Sequence, residues 1–184
     1  ADNPNNSFHI LAVDDEQINL QVLSNQLRLA GYKITLKQGG KEAIEFLEET
    51  EDKPDMLLLD VMMPHLTGFQ VCQKIRERYK TNELPVIFLT AKNRLNDLIE
   101  GFHSGGNDFI TKPFEKKELL ARIKTHLSLY KITSELALLN AKYLGTTSEN
   151  EKRKLINLMP FFNRFKHSLR RNSKTNARKN ISAH

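Results

Sequence analysis

A doubly wound α/β fold, with a five-stranded parallel sheet and a C-terminal helical extension, is the architecture that this 184-residue sequence predicts. Two observations carry it. Short apolar runs alternate five times with stretches of helical periodicity between Phe8 and Leu127, joined by short connections. Parallel neighbours need a crossover, and right-handed crossovers lay helices on both faces of the sheet. Second, Met56-Leu57-Leu58-Leu59-Asp60, lying between Pro54 and Pro64, is apolar up to its last position, which suits a strand buried on both faces. It leaves one carboxylate at the strand's carboxyl end.

The elements follow in order. Phe8 to Val13 is a strand running into Asp14-Asp15-Glu16, after which Ile18, Val22, Leu23, Leu27 and Leu29-Ala30 recur at helical spacing until Gly31. Tyr32 to Lys37 alternates as a strand, Gly39-Gly40 turns it, and Ala43, Ile44, Phe46 and Leu47 mark a second helix ending in the acidic run Glu48 to Asp52. Beyond the central strand, Phe69, Val71, Cys72, Ile75 and Tyr79 give a third helix with a core face, on which Cys72 reads as packing. Pro85 opens the strand Val86 to Thr90. Leu95, Leu98, Ile99 and Phe102 define a fourth helix, and Gly105-Gly106 precede a short strand, Asp108 to Thr111. In the last helix Leu119, Leu120, Ile123 and Leu127 are placed to pack on the sheet, and Leu129, Ile132, Leu136, Leu139 and Tyr143 continue at spacings of three and four.

Those five residues form an a/d seam of about two heptads, where a secure coiled coil takes about three or four. The seam therefore reads either as a dimerising helix, which is the expectation, or as a helix lying back on its own domain. Gly145 to Ser148 interrupt it, and Glu149 to Met159 resume a helix before Pro160. The expected organisation is a disordered polar N-terminus over 1–7, a domain over 8–127, a helical extension over 128–159 and a basic, disordered tail over 160–184, too poor in apolar residues to fold as an output domain.

Charge is divided unevenly. The net charge is +6, yet no acidic residue follows Glu151, and the ten Lys and Arg from Lys152 to Lys179 leave residues 1–151 with 18 basic and 22 acidic side chains. A mildly acidic body thus carries a basic tail. No apolar run approaches the ~18–20 residues of a membrane span, and the Asn-rich start is not a signal peptide. The lone Cys72 excludes an internal disulfide and a cysteine metal cage, which fits a reducing, cytoplasmic compartment.

Ligands of such sheets bind beyond the carboxyl ends of the strands. Asp14 and Asp15 after the first strand, Asp60 ending the third, Thr90 ending the fourth and Lys112 after the fifth are expected to converge there. Carboxylates brought so close raise one another's pKa unless a cation sits among them, and an oxygen-only donor set selects a hard ion, Mg²⁺. Lys112 supplies a positive charge and Thr90 a hydroxyl. Together these groups describe a site for forming and holding an aspartyl phosphate.

Four motifs agree in order and spacing: Val13-Asp14-Asp15-Glu16; Leu59-Asp60-Val61-Met62-Met63-Pro64 with Gly68; Phe88-Leu89-Thr90-Ala91; and Gly106 to Phe114, GNDFITKPF. In these the chain resembles the receiver domains of two-component response regulators, over residues 8 to about 127. The resemblance implies a flavodoxin-like sheet in the order 2-1-3-4-5. It implies Asp60 as the acceptor of a phosphoryl group from a histidine kinase or phosphotransfer protein, and Mg²⁺ held by Asp14, Asp15, Asp60 and the backbone carbonyl of Met62. By the same resemblance Lys112 contacts the phosphoryl oxygens, Thr90 moves toward them, Phe109 is the switch aromatic and Lys112-Pro113 is a cis peptide; Met62 and Lys92, each two residues beyond a site residue, are expected to flank the phosphoryl group. No enzymatic activity is expected beyond the domain's own phosphotransfer and dephosphorylation, and any output domain would lie outside this chain.

Other functions are weaker. A DNA-binding transcriptional regulator would use the basic tail, but neither a zinc-finger nor a helix-turn-helix motif appears in it. A haloacid-dehalogenase-type phosphatase needs a second acid where Met62 stands. A flavodoxin-type phosphate loop would follow the first strand, where Asp14-Asp15-Glu16 repel phosphate.

Overall fold

The computed structural model describes residues 8–91 and 95–143, with side chains described over 8–91 and 99–140. The expected N-terminal segment, Lys92, the helix over 149–159 and the basic tail lie outside the described residues, as do the side chains of Leu95, Leu98 and Tyr143.

Ten elements alternate: β1 (His9–Val13), α1 (Gln17–Leu29), β2 (Lys33–Lys37), α2 (Gly40–Glu49), β3 (Met56–Asp60), α3 (Gly68–Arg76), β4 (Val86–Thr90), α4 (Leu95–His103), β5 (Asp108–Thr111) and α5 (Lys116–Tyr143). The strands form one parallel sheet in the order β2-β1-β3-β4-β5, the doubly wound topology that the sequence predicts. Every residue of β3 is buried, because the strand lies at the centre of the sheet with helices on both sides. Each fully buried leucine there contributes about 1.5–3 kcal/mol.

Alternation along the strands sorts the core into two layers. Ile10, Ala12, Met56, Leu58, Ile87, Leu89 and Ile110 face Leu20, Leu23 and Leu27 of α1 and Leu119, Ile123 and Leu127 of α5. Leu11, Val13, Leu57, Leu59, Val86 and Phe88 face Ala43 and Leu47 of α2 and Phe69, Val71, Cys72 and Ile75 of α3. Cys72 is fully buried there.

α1 departs from the sequence reading. Its buried stripe is Leu20, Leu23, Ser24 and Leu27, while Ile18, Val22 and Leu29 are 74%, 48% and 80% exposed. The helix carries apolar residues on two stripes, and helical periodicity alone does not say which one meets the sheet. α4 likewise leaves Ile99 and Phe102 exposed.

α5 also has two faces. Its buried face does not stop at Leu127: Tyr130 joins the same core layer and Ser134 is buried one turn on. The opposite face carries Leu129, Ile132, Leu136 and Leu139, each about half exposed. Polar anchors hold the helix to β5. The Asp108 carboxylate accepts from the Arg122 guanidinium with both oxygens at 3.0 Å, lies 3.0 Å from His126 Nε2 and accepts from the Phe109 amide at 2.8 Å. No helix among the described residues is long and apolar enough to cross a membrane.

Burial pushes the Asp108 carboxyl up, but the bonds from His126, the Phe109 amide and Arg122 outweigh it and hold it below the usual value. A carboxyl lowered on folding adds stability that is present above its unfolded pKa, about 3.9, and is lost as pH falls through the lower folded value. Asp108→Asn is expected to cost about 1 kcal/mol at pH 7, discounted for the exposure of Arg122. In denaturant titrations the gap to wild type narrows below about pH 4.

Candidate functional site

Parallel strands point their carboxyl ends the same way, so Val13, Asp60, Thr90 and Thr111 terminate at one edge of the sheet. The loops leaving that edge carry Asp14, Asp15, Met62 and Lys112. Lys112 lies at the centre. Its ammonium donates to Asp14 Oδ2 at 2.7 Å and to Asp60 Oδ1 at 2.6 Å, joining residues 98 and 52 positions away in the chain.

Each carboxylate is then oriented by a local donor. The Met62 amide donates to Asp60 Oδ2 at 2.7 Å, so both oxygens of the expected acceptor are engaged and its carboxyl plane is set. Asp14 accepts from the Glu16 amide at 2.9 Å and from the Asn19 side chain at 3.1 Å. Asp15 is half-buried beside them, its backbone carbonyl held by Gln38 Nε2 at 3.1 Å. The Thr90 side chain is buried, and its carbonyl accepts from the Lys112 amide at 2.8 Å. Lys112-Pro113 is cis.

The β3–α3 loop is closed tightly around the acceptor. A Cβ on Gly68 would overlap the Asp60 carbonyl oxygen, and the Gly68 amide donates to Val61 O at 3.0 Å, so this position needs glycine for close approach. Thr67 caps α3 with a reciprocal box: its hydroxyl accepts from the Gln70 amide at 3.3 Å, and the Gln70 side chain accepts from the Thr67 amide at 3.0 Å. His65 turns the loop at φ 66°.

Burial raises the Asp60 carboxyl above its ordinary value, the bond and charge of Lys112 pull it down, and Asp14 pushes it up again; the balance remains upward. For Lys112 burial favours the neutral amine, but the bonds to Asp14 and Asp60 prevail, so its pKa is raised and the ammonium stays charged. Asp14 and Asp60 share one ammonium and Asp15 follows Asp14 in the same loop, so the site keeps an excess of negative charge and an all-oxygen donor set. Among the described residues no group of three or more acidic, His or Cys side chains is close enough to surround an ion. The chemistry of the donor set, all oxygen, suits a hard ion such as Mg²⁺.

Phe109 is buried, with its ring 5.1 Å from Phe88 and 4.9 Å from Phe102. Gly101 makes room for it, since a Cβ there would overlap the Phe109 ring. The sequence reading missed Asn19, which orients Asp14, and Arg76, which ties α3 to the α4–β5 loop; neither sits in a motif. Met62 exposes its side chain beside the acceptor.

Residues 10–124 match the family model of the response regulator receiver domain. The chain belongs to this family. It is 37% identical over 129 residues to the uncharacterized transcriptional regulatory protein YrkP of Bacillus subtilis (strain 168), covering 70% of this chain and 53% of that protein. It is 41% identical over 120 residues to the response regulator MprA of Mycobacterium leprae (strain TN), covering 65% and 51%. The chain therefore spans about half the length of the curated relatives it matches. Among solved structures it resembles Vibrio cholerae CheY4 (TM-score 0.60, 29% identity, 64% of this chain and 97% of that one). It also resembles a BeF3-activated DrrB receiver domain (TM-score 0.59, 30% identity, 66% and 97%). The chain carries a response regulator receiver domain, the signalling module of two-component systems.

The raised Asp60 pKa has a consequence for stability. A carboxyl raised on folding contributes stability below its unfolded pKa that is lost as pH rises through the folded value. Asp60→Asn keeps an acceptor oxygen for Lys112 and removes that loss, while giving up the Met62 amide's bond to the second oxygen. Its thermal midpoint at pH 7 is expected to exceed wild type by a few degrees, about 1 kcal/mol, with the gain shrinking as pH falls into the carboxyl range.

Proposed function

We propose that this receiver accepts a phosphoryl group on Asp60 from a histidine kinase or phosphotransfer protein in a Mg²⁺-dependent step, and relays the change through Thr90, Phe109 and a dimer-forming α5. The observation that carries the reading is the Lys112 bridge between Asp14 and Asp60. It puts a fixed positive charge on the acceptor carboxylate, where phosphoryl charge would arrive. In the transfer an Asp60 oxygen attacks phosphorus, the P–N bond to the donor imidazole breaks, and the electron pair leaves with the imidazole. The Met62 amide fixes the carboxyl plane, and Lys112 turns from the carboxylates to the new phosphoryl oxygens. Asp14, Asp15, Asp60 and the Met62 carbonyl would hold Mg²⁺, which when bound neutralises further charge on the phosphoryl oxygens.

Access favours a protein donor. Ile18 and Val22 present exposed apolar surface on α1, beside a groove of about 430 Å³ that Val22, Leu23, Pro113 and Phe114 line and that has Asp14 and Lys112 in its wall. A helical donor seated there would reach Asp60 with its histidine. Dimerisation is supported by the seam on α5. The helix uses its Tyr130–Ser134 face on its own domain, which leaves Leu129, Ile132, Leu136 and Leu139 outward for a second copy. A DNA-binding role for the basic tail rests on charge alone and gains no support from the described residues.

Incubation with acetyl phosphate and Mg²⁺ is expected to add one phosphoryl mass to wild type and none to Asp60→Asn. Lys112→Ala is expected to slow uptake by about a hundredfold, the usual loss when one preorganised charge-stabilising donor is removed. Phosphate found on another residue would end the reading.

Leu136→Glu places a charge in the seam. It is expected to shift sedimentation toward monomer while leaving phosphoryl uptake unchanged, and an unaltered oligomeric state would remove α5 as the interface.

A further inference from the structure

We infer that α3 is a second mechanical link from the acceptor loop to the segment carrying Phe109, with Arg76 as the positioning residue at its far end. The inference rests on the proposed acceptor role of Asp60 and assigns regulation to that same site.

The two ends of α3 are both committed. At its start, Gly68 is wedged against the Asp60 carbonyl and bonded to Val61 O, so a shift of the acceptor loop moves the first turn of the helix. At its end, the Arg76 guanidinium spreads over four acceptors: Gly105 O at 2.8 Å, Leu84 O at 3.0 Å, Asn107 Oδ1 at 3.2 Å and Tyr79 O at 3.3 Å. Two of these, Gly105 and Asn107, lie in the loop that ends α4 and delivers β5. Asn107 Oδ1 also accepts from the Val86 amide at 2.9 Å, and its amide group donates to Thr81 O at 3.1 Å, so the loop is locked to the start of β4 as well. Gly105 has φ +92°, and a Cβ there would press on the Arg76 side chain.

Between the ends, the same face of α3 keeps contact with the α4–β5 segment. Phe69 packs edge-on against Phe88 at 5.0 Å and abuts Gly101, and the buried Cys72 lies near Ser104, whose hydroxyl donates to Gly101 O at 2.7 Å. Phe69, Cys72 and Arg76 stand at i, i+3 and i+7, one stripe of a helix. Their partners run from Gly101 through Ser104 to Asn107. Phe109 lies two residues beyond, its ring against Gly101, Phe88 and Phe102. A rigid helix touching the acceptor at one end and this segment along its side biases both, which is what coupling between two sites requires.

The test uses the full chain, with beryllofluoride and Mg²⁺ as the phosphoryl mimic and the Phe109 and Gly105 amide resonances as the conformational readout. Acetyl-phosphate uptake, read by mass, is followed in parallel. Arg76→Met is expected to take up phosphoryl at the wild-type rate within about twofold, while its ratio of switched to unswitched conformer under saturating beryllofluoride falls by about 2- to 30-fold. Arg76→Lys, whose ammonium holds fewer acceptors in a looser geometry, is expected to fall between the two, and it carries the test if the methionine variant does not fold. A wild-type conformational response in either folded variant overturns the inference, as does loss of uptake in step with loss of response. Absence of uptake in wild type instead defeats the acceptor reading on which it rests.

Discussion

One ammonium between two buried carboxylates is the constraint on which the rest of this receiver depends. Asp14 and Asp60 sit at adjacent strand ends and would repel each other in a poorly solvated crevice; Lys112, brought in from the far side of the sheet, is what makes their proximity tolerable. The compensation is incomplete, since Asp60 remains harder to ionise than a free aspartate.

Around this bridge the structure is arranged to hold some things still and leave others free. The central strands are buried on both faces, Gly68 and the Thr67–Gln70 box fix the loop behind the acceptor, and Arg76 fastens the opposite end of α3. In contrast, Ile18 and Val22 on α1 and the outer stripe of α5 are apolar and exposed. The domain thus sets a rigidly backed site against open apolar edges.

α5 presents one face to the domain and another outward. Through Tyr130 and Ser134 it belongs to the domain, and Asp108 with Arg122 and His126 fastens it to β5. The exposed stripe from Leu129 to Leu139 begins before that contact ends, so the stripe and the domain share one continuous helix.

Much of this was legible in the residues alone. The alternation of apolar runs and helical stretches dictates a doubly wound sheet, because parallel neighbours need crossovers, and the sheet's carboxyl edge then collects Asp14, Asp15, Asp60, Thr90 and Lys112 by topology. Those are local patterns joined by a general rule. Only the tertiary structure decided which stripe of α1 meets the core, that Lys112 bridges two carboxylates rather than facing one, that Asn19 orients Asp14, and that Arg76 and Asp108 anchor their helices. The physical reason is common to all of them. Each depends on contacts between side chains far apart in the chain, whose meeting is set by register and packing, quantities that periodicity does not contain.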